Sequence, residues 1–162
     1  MTDWTSLSLA QMRQHATTTY RKAHGSRPDV LLIQINGDEA VLKDYSYSDT
    51  WFRRLLAPLL VIREVRSLKK LDGVTGIPRL YHVYNRLSFL VESVNGIAAS
   101  QMKKDTLDNA FFERMNKVLD DVHEKGVTHC DLRSAGNTLI TEDHQPWLVD
   151  FVASIHQSSR WN

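Results

Sequence analysis

From Val30 to Tyr45 the apolar positions come in two short runs, Val30-Leu31-Leu32-Ile33-Gln34-Ile35 and Ala40-Val41-Leu42-Lys43-Asp44-Tyr45. Runs this short and this rich in β-branched and aliphatic residues predict strands. Between them stands Asn36-Gly37, which predicts a tight hairpin because both residues tolerate the positive φ of a two-residue turn. From Trp51 to Leu71 the pattern is helical, with an interruption or restart near Pro58. Gly73 predicts a C-cap, and Gly73 to Pro78 a loop. Strand-like runs return at Arg79 to Tyr84 and Leu87 to Val94, ending in Asn95-Gly96. Phe111 to Glu124 is helical, with Gly126 as its stop. Residues 127–155 alternate short apolar runs with polar loops. Thr138-Leu139-Ile140 and Trp147-Leu148-Val149, on either side of Glu142-Asp143-His144, predict a small hairpin. Ahead of all this lie a short helix over residues 6–16, a β-branched patch at Thr17 to Tyr20 and a loop from Ala23 to Asp29. The fold class expected is α+β: an antiparallel-sheet part with one long helix over about residues 1–94, then a mostly helical part with a hairpin over about 95–162. The junction is expected between Glu92 and Ser100.

Composition narrows the function classes. The 162 residues are 42% hydrophobic and 24% charged, ordinary for one globular domain able to bury a core. A formal net charge of +1 gives no reason to expect a general nucleic-acid binder or an acidic-surface binder, although a local basic patch can hide inside that balance. Cys130 is the single cysteine, which excludes an internal disulfide and a cysteine-rich metal site. The opening residues show no signal peptide, and no apolar run approaches the roughly 18 residues of a membrane span. The greasiest stretch, Leu55 to Ile62, is bounded by Arg53, Arg54 and Arg63. A cytoplasmic protein with no transmembrane segment and no nucleic-acid partner is expected.

The most informative segment is Val127-Thr128-His129-Cys130-Asp131-Leu132-Arg133-Ser134-Ala135-Gly136-Asn137-Thr138-Leu139-Ile140, followed by Leu148-Val149-Asp150-Phe151. It resembles the catalytic loop and metal-binding motif of the protein-kinase-like superfamily, H-x-D-L…N-x-L and then D-F-G. The chemistry needs these residue types. Transfer of phosphate from ATP requires a carboxylate to orient or deprotonate the acceptor hydroxyl, and hard oxygen ligands for the cation that neutralises the phosphates. The resemblance implies that Asp131 is the acceptor-orienting base, that Arg133 steadies the transferring phosphate, and that Asn137 and Asp150 hold magnesium or manganese. His129 reads as a hydrogen-bonding brace, and Cys130 as a small buried filler. Two features depart from the pattern. Asp131 and Asn137 are six apart where the familiar loop has five, with Gly136 available to absorb the extra residue. Val152 stands where the motif has glycine, which touches regulation more than metal binding.

Upstream, Val41-Leu42-Lys43 resembles the strand whose lysine neutralises the α- and β-phosphates. Taken singly, Lys43 and Glu64 read as solvated side chains. The resemblance implies a glutamate partner on the next helix, which Glu64 fits: Leu60, Glu64 and Leu68 share a helical stripe, and a carboxylate on a buried face needs a partner, which Lys43 supplies. The segment Phe89 to Gly96 resembles the hinge whose backbone binds adenine, here through Glu92 and Val94. The only stand-in for a glycine-rich phosphate loop is His24-Gly25-Ser26-Arg27, so Gly25 and Ser26 are the expected phosphate contacts, against the plainer reading of a surface loop. The stretch from Arg63 to Pro78 looks like compact bacterial members near the RIO-type and lipopolysaccharide-kinase-type families. The resemblance implies a two-lobed kinase-like fold over residues 1–162. It also implies ATP as nucleotide and transfer of its γ-phosphate to a hydroxyl, on protein Ser/Thr or on a sugar or lipid. The chain ends at Asn162, 11 residues past Phe151, so the expectation is a minimal kinase or a shortened C-terminus. Two other readings stand beside this one: a catalytically inactive nucleotide-binding scaffold, and an enzyme of the aminoglycoside or choline kinase type.

Overall fold

A computed structural model describes residues 2–103 and 106–157. It is α+β, with antiparallel sheets and few helices. The first elements are α1 (Leu9–Gln14), β1 (Ala16–Arg21), β2 (Asp29–Ile35) and β3 (Asp38–Asp44), followed by the helices α2 (Thr50–Leu55) and α3 (Ala57–Lys70). Next come β4 (Leu80–Asn85) and β5 (Ser88–Glu92), which complete an antiparallel sheet of order β1-β2-β3-β5-β4. The predicted hairpin turn is present: Asn36 has φ 51° and Gly37 φ 84°, the left-handed pair that such a turn demands. The predicted helix is split at Leu56, and Pro58 sits in the first turn of α3, where its missing N–H costs nothing.

The chain divides into two compact units, Met1–Val65 with Arg79–Ser93, and Arg66–Pro78 with Val94–Asn162. In the first, strand alternation sorts the side chains. Leu31, Ile33, Ala40, Leu42 and Leu90 form one face and pack with Trp4 and Met12. Asp44 falls on that same face and is fully buried. It accepts Arg13 Nη1 at 2.6 Å, Ser88 Oγ at 2.7 Å and the Ser46 N–H at 2.9 Å. Arg13 Nη2 donates to Asp29 at 2.7 Å, so one guanidinium ties α1 to β2 and β3. Burial works against the Arg13 charge, but Asp29 and Asp44 outweigh it and hold the group above its ordinary pKa.

The second unit contains β6 (Gly96–Ala98), α4 (Asn109–Glu124), β7 (Val127–Thr128), β8 (Thr138–Thr141), β9 (Pro146–Leu148) and β10 (Ile155–His156). Asp108 caps α4 by accepting the Phe111 N–H at 2.8 Å, and Phe111, Val118 and Val122 are its buried side chains. The predicted β8–β9 hairpin forms, pairing Thr138 with Leu148, and β6 pairs with the free side of β8. Gly76 is tightly enclosed: with φ 84°, a Cβ there would stand 2.6 Å from the Pro146 carbonyl oxygen. Among the described residues, no helix is long and apolar enough to cross a membrane.

Candidate active site

In β3, alternation turns Lys43 to the face opposite Leu42 and Asp44. There Lys43 Nζ meets Glu64 Oε1 at 2.5 Å, and it lies 5.9 Å from the centre of the Phe89 ring. The side chains are only 13% and 2% exposed, so each charge depends on the other for the solvation it has lost. Glu64 projects from the buried side of α3 together with Ala57 and Val61.

The loop from β1 to β2 is a closed turn. His24 and Arg27 exchange backbone hydrogen bonds at 3.3 and 3.0 Å, and Gly25 sits between them at φ 57°. Three further bonds hold it. The Asp49 N–H donates to the Gly25 carbonyl at 2.9 Å, Ser48 Oγ to the Arg27 carbonyl at 2.9 Å, and the Ala23 N–H to Asp29 Oδ1 at 2.7 Å. Glu92 is engaged twice with Arg79, its N–H donating to the Arg79 carbonyl at 2.8 Å and its Oε2 accepting the Arg79 N–H at 3.0 Å. The Val94 carbonyl accepts the Gly96 N–H at 2.9 Å.

In the second unit, β7 leads into His129, which is 1% exposed. Its Nδ1 accepts the Asp131 N–H at 3.3 Å, which assigns the proton to Nε2, and Nε2 donates to the Val149 carbonyl at 2.9 Å. The imidazole also lies 4.5 Å from the Phe151 ring. His129 is thus the expected brace, joining the two motifs through backbone and ring. Cys130 is not the buried filler expected. It is exposed at φ 65°, because the chain must reverse there to bring the next N–H back to His129. Asp150 is also left-handed, at φ 67° and ψ 67°. Backbone in this region is costly for residues with a Cβ and collects at functional sites.

Asn137 is 8% exposed, and its Nδ2 donates to both the backbone carbonyl and Oδ2 of Asp131, at 3.0 Å each. The reverse amide orientation would set oxygen against two oxygens, so the network fixes which atom faces Asp131. The extra residue between Asp131 and Asn137 is absorbed by a short 3₁₀ turn over Ala135–Asn137, closed by the Asn137 N–H on the Ser134 carbonyl at 2.9 Å. Gly136 has ordinary backbone and room for a Cβ, with Ser134 Oγ in ordinary contact at 3.9 Å, so its glycine freedom is not what absorbs the residue. The Val149 N–H donates to the Asn137 carbonyl at 2.9 Å, which carries the β8–β9 ladder one step further and sets Asn137 beside the residue preceding Asp150. Arg133 is exposed, and Asp131 and Asp150 are half-buried.

The structure therefore joins Lys43 to Glu64 in one unit and Asp131 to Asn137 in the other. Sequence reasoning missed Asp29, Asp44 and Arg13. The available signal was Asp44 itself, a carboxylate at an inward position of a strand. With this geometry in hand, comparison with known families is decisive: the model of the RIO domain matches residues 36–161. The chain belongs to the RIO domain family. RIO domains are protein-kinase-like and their members are atypical protein kinases, so kinase, transferase and ATP binding hold at family level. The match takes in Lys43, Glu64 and the whole of Val127 to Phe151, whereas Gly25 and Ser26 lie ahead of it. No curated protein matches the chain.

Proposed function

We propose that this RIO-domain chain is an ATP- and metal-dependent phosphotransferase that moves the γ-phosphate to an alcohol group, on protein Ser/Thr or on a sugar or lipid. The observation that carries the reading is the Asn137 amide, whose nitrogen is committed to Asp131. This leaves the amide oxygen as a hard donor, and Asp150, next to the Val149 whose N–H meets the Asn137 carbonyl, supplies a carboxylate. Such a pair suits magnesium or manganese, which keep part of their water and take few protein oxygens. The residues fit the cation. When bound, it would neutralise charge on the phosphates.

The remaining work falls to side chains. Asp131 orients the acceptor hydroxyl and takes its proton, and the Asn137 amide holds that carboxylate in one rotamer. Arg133 meets the transferring phosphate. Lys43 engages the α- and β-phosphates, with Glu64 fixing its direction. Gly25 and Ser26 cover the phosphates through a turn that is already closed, and the backbone of Glu92 and Val94 receives the adenine. In this reading the chain has the two lobes of a kinase, about 1–94 and about 95–162. The need for ATP supports a cytoplasmic setting.

Asp131→Asn separates chemistry from binding. Nucleotide affinity, read by thermal shift with magnesium, should stay within about twofold, while phosphate transfer or slow hydrolysis falls about a hundred- to ten-thousand-fold. Full activity in that variant removes Asp131 as the base. If the wild-type chain binds nucleotide but shows no transfer, autophosphorylation or hydrolysis with either metal, it is a scaffold instead.

A further inference from the structure

Two buried carboxylates face each other across β2 and β3. Asp29 and Asp44 are direct cross-strand partners in the antiparallel register. Like charges placed opposite one another repel, and burial sharpens the repulsion. An ionised pair in this position needs a cation between its members. Arg13 is that cation: Nη2 meets Asp29 Oδ2 at 2.7 Å and Nη1 meets Asp44 Oδ2 at 2.6 Å. A forked guanidinium suits such a bridge, whereas an ammonium offers a single point of charge. Tyr47 covers it, with the ring centre 4.5 Å from the guanidinium carbon.

The second oxygen of each carboxylate is committed to backbone. Asp29 Oδ1 accepts the Ala23 N–H at 2.7 Å, at the entrance to the turn that carries Gly25 and Ser26. Asp44, the neighbour of Lys43 in β3, accepts the Ser46 N–H at 2.9 Å. From there the chain runs back to the turn. The Ser48 hydroxyl donates to the Arg27 carbonyl and the Asp49 N–H to the Gly25 carbonyl, at 2.9 Å each. The path is a ring from Arg13 through Asp29, the turn, Ser48 and Asp44 back to Arg13. Its two carboxylates are not equally held. Asp44 has a further donor in Ser88 Oγ at 2.7 Å and a fully buried side chain. Asp29 has a side chain 10% exposed and, beyond Arg13, accepts one backbone N–H. Without Arg13, Asp29 is therefore the carboxylate that swings out to water, and the Ala23 end of the turn goes with it.

We propose that Arg13 is a positioning residue: through Asp29 and Asp44 it fixes the turn of Gly25 and Ser26 against the strand of Lys43, and so sets the affinity for the phosphates of the nucleotide. The inference rests on the proposed roles of that turn and of Lys43. The guanidinium is committed to the two carboxylates, so it acts through them and not on the nucleotide.

Hydrogen exchange on the full chain reads the positioning directly. Arg13→Gln should speed exchange at the Ala23, Arg27 and Asp49 amides about tenfold or more, while the β5 amides keep their wild-type rates. Calorimetric titration with magnesium–ATP and with adenosine reads the consequence. Affinity for ATP should fall about tenfold and that for adenosine should hold within about twofold, whereas a general loss of structure would move both together. Adding Asp29→Asn removes the repulsion but keeps an oxygen for the Ala23 N–H, and should restore slow exchange and most of the ATP affinity. Arg13→Lys keeps the charge without the fork and should lose about threefold in ATP affinity, which covers the case in which Arg13→Gln does not fold. Wild-type exchange at the turn in the folded variant overturns the proposal, and so does equal weakening of ATP and adenosine. A wild-type chain that binds ATP no more tightly than adenosine is a different failure. It removes the phosphate roles of the turn and of Lys43, and the inference falls with them whatever Arg13→Gln does to exchange.

Discussion

In the unit built on the five-stranded sheet, charged side chains meet one another: Lys43 with Glu64, and Arg13 with Asp29 and Asp44. In the unit built on α4, the polar side chains of the loop from His129 to Asn137 reach backbone as well. His129 spans from the Asp131 N–H to the Val149 carbonyl, and Asn137 grips both the carbonyl and the carboxylate of Asp131. The first arrangement fixes charges by burying them in pairs. The second fixes a loop whose backbone is strained at Cys130 and Asp150 while leaving Arg133 in solvent. Under the proposed reading, a group that holds a ligand's charge is paired in advance, whereas a group that accepts a proton stays reachable and is held through the backbone and an amide.

Substitutions can break this contrast, and the largest effect belongs to the buried pair. Glu64→Leu removes the buried carboxylate that Lys43 meets at 2.5 Å and should cost about 3–5 kcal/mol in chemical denaturation. Adding Lys43→Met should recover much of that loss, because an apolar pair replaces an ionic one. Stability unchanged in the single variant would mean the pair is solvated in solution. Next comes Asp44→Ala, which takes one of the two carboxylates of Arg13 and the acceptor of Ser88, and should cost about 3 kcal/mol in chemical denaturation. Gly76→Ala should cost about 2–3 kcal/mol, from its positive φ and the nearby Pro146 carbonyl. In the loop that the proposed function makes catalytic, His129→Phe keeps the ring against Phe151 but loses both hydrogen bonds, and about 2 kcal/mol should go in chemical denaturation. The smallest effect is at Cys130, where glycine accepts the left-handed backbone freely. Cys130→Gly should change stability by less than about 1 kcal/mol, and a larger loss would show that the Cβ is packed rather than strained.

The parts of the fold readable in the sequence are those governed by neighbours along the chain. Asn36-Gly37 dictates its turn, Pro58 limits where α3 can begin, and alternation through Val41, Leu42 and Lys43 points Lys43 away from the Trp4 and Met12 core. The Lys43–Glu64 pair followed from the resemblance to the kinase lysine strand and its glutamate partner, with helix periodicity and the cost of a buried charge in support. What escaped was non-local. The three-residue β6 carries too little pattern to announce a partner more than forty residues away in β8. The division inside α3, between Val65 and Arg66, leaves no mark in a periodicity that runs straight through it. Composition favoured burying Cys130, but the backbone reversal into Asp131 prevails. The exposure of Trp51, Leu55, Leu59 and Ile62 escaped for a similar reason: an apolar face reads as core until the structure shows which side of the helix is covered.

The reversal at Cys130 also gives the molecule a native chemical address. The single thiol of the chain is solvent-exposed and one residue from Asp131. A maleimide dye should therefore attach once, beside Asp131, without any engineered cysteine. If the proposed function holds, its emission would report nucleotide and metal arriving beside that loop, and the rate of alkylation would report how firmly His129 holds it.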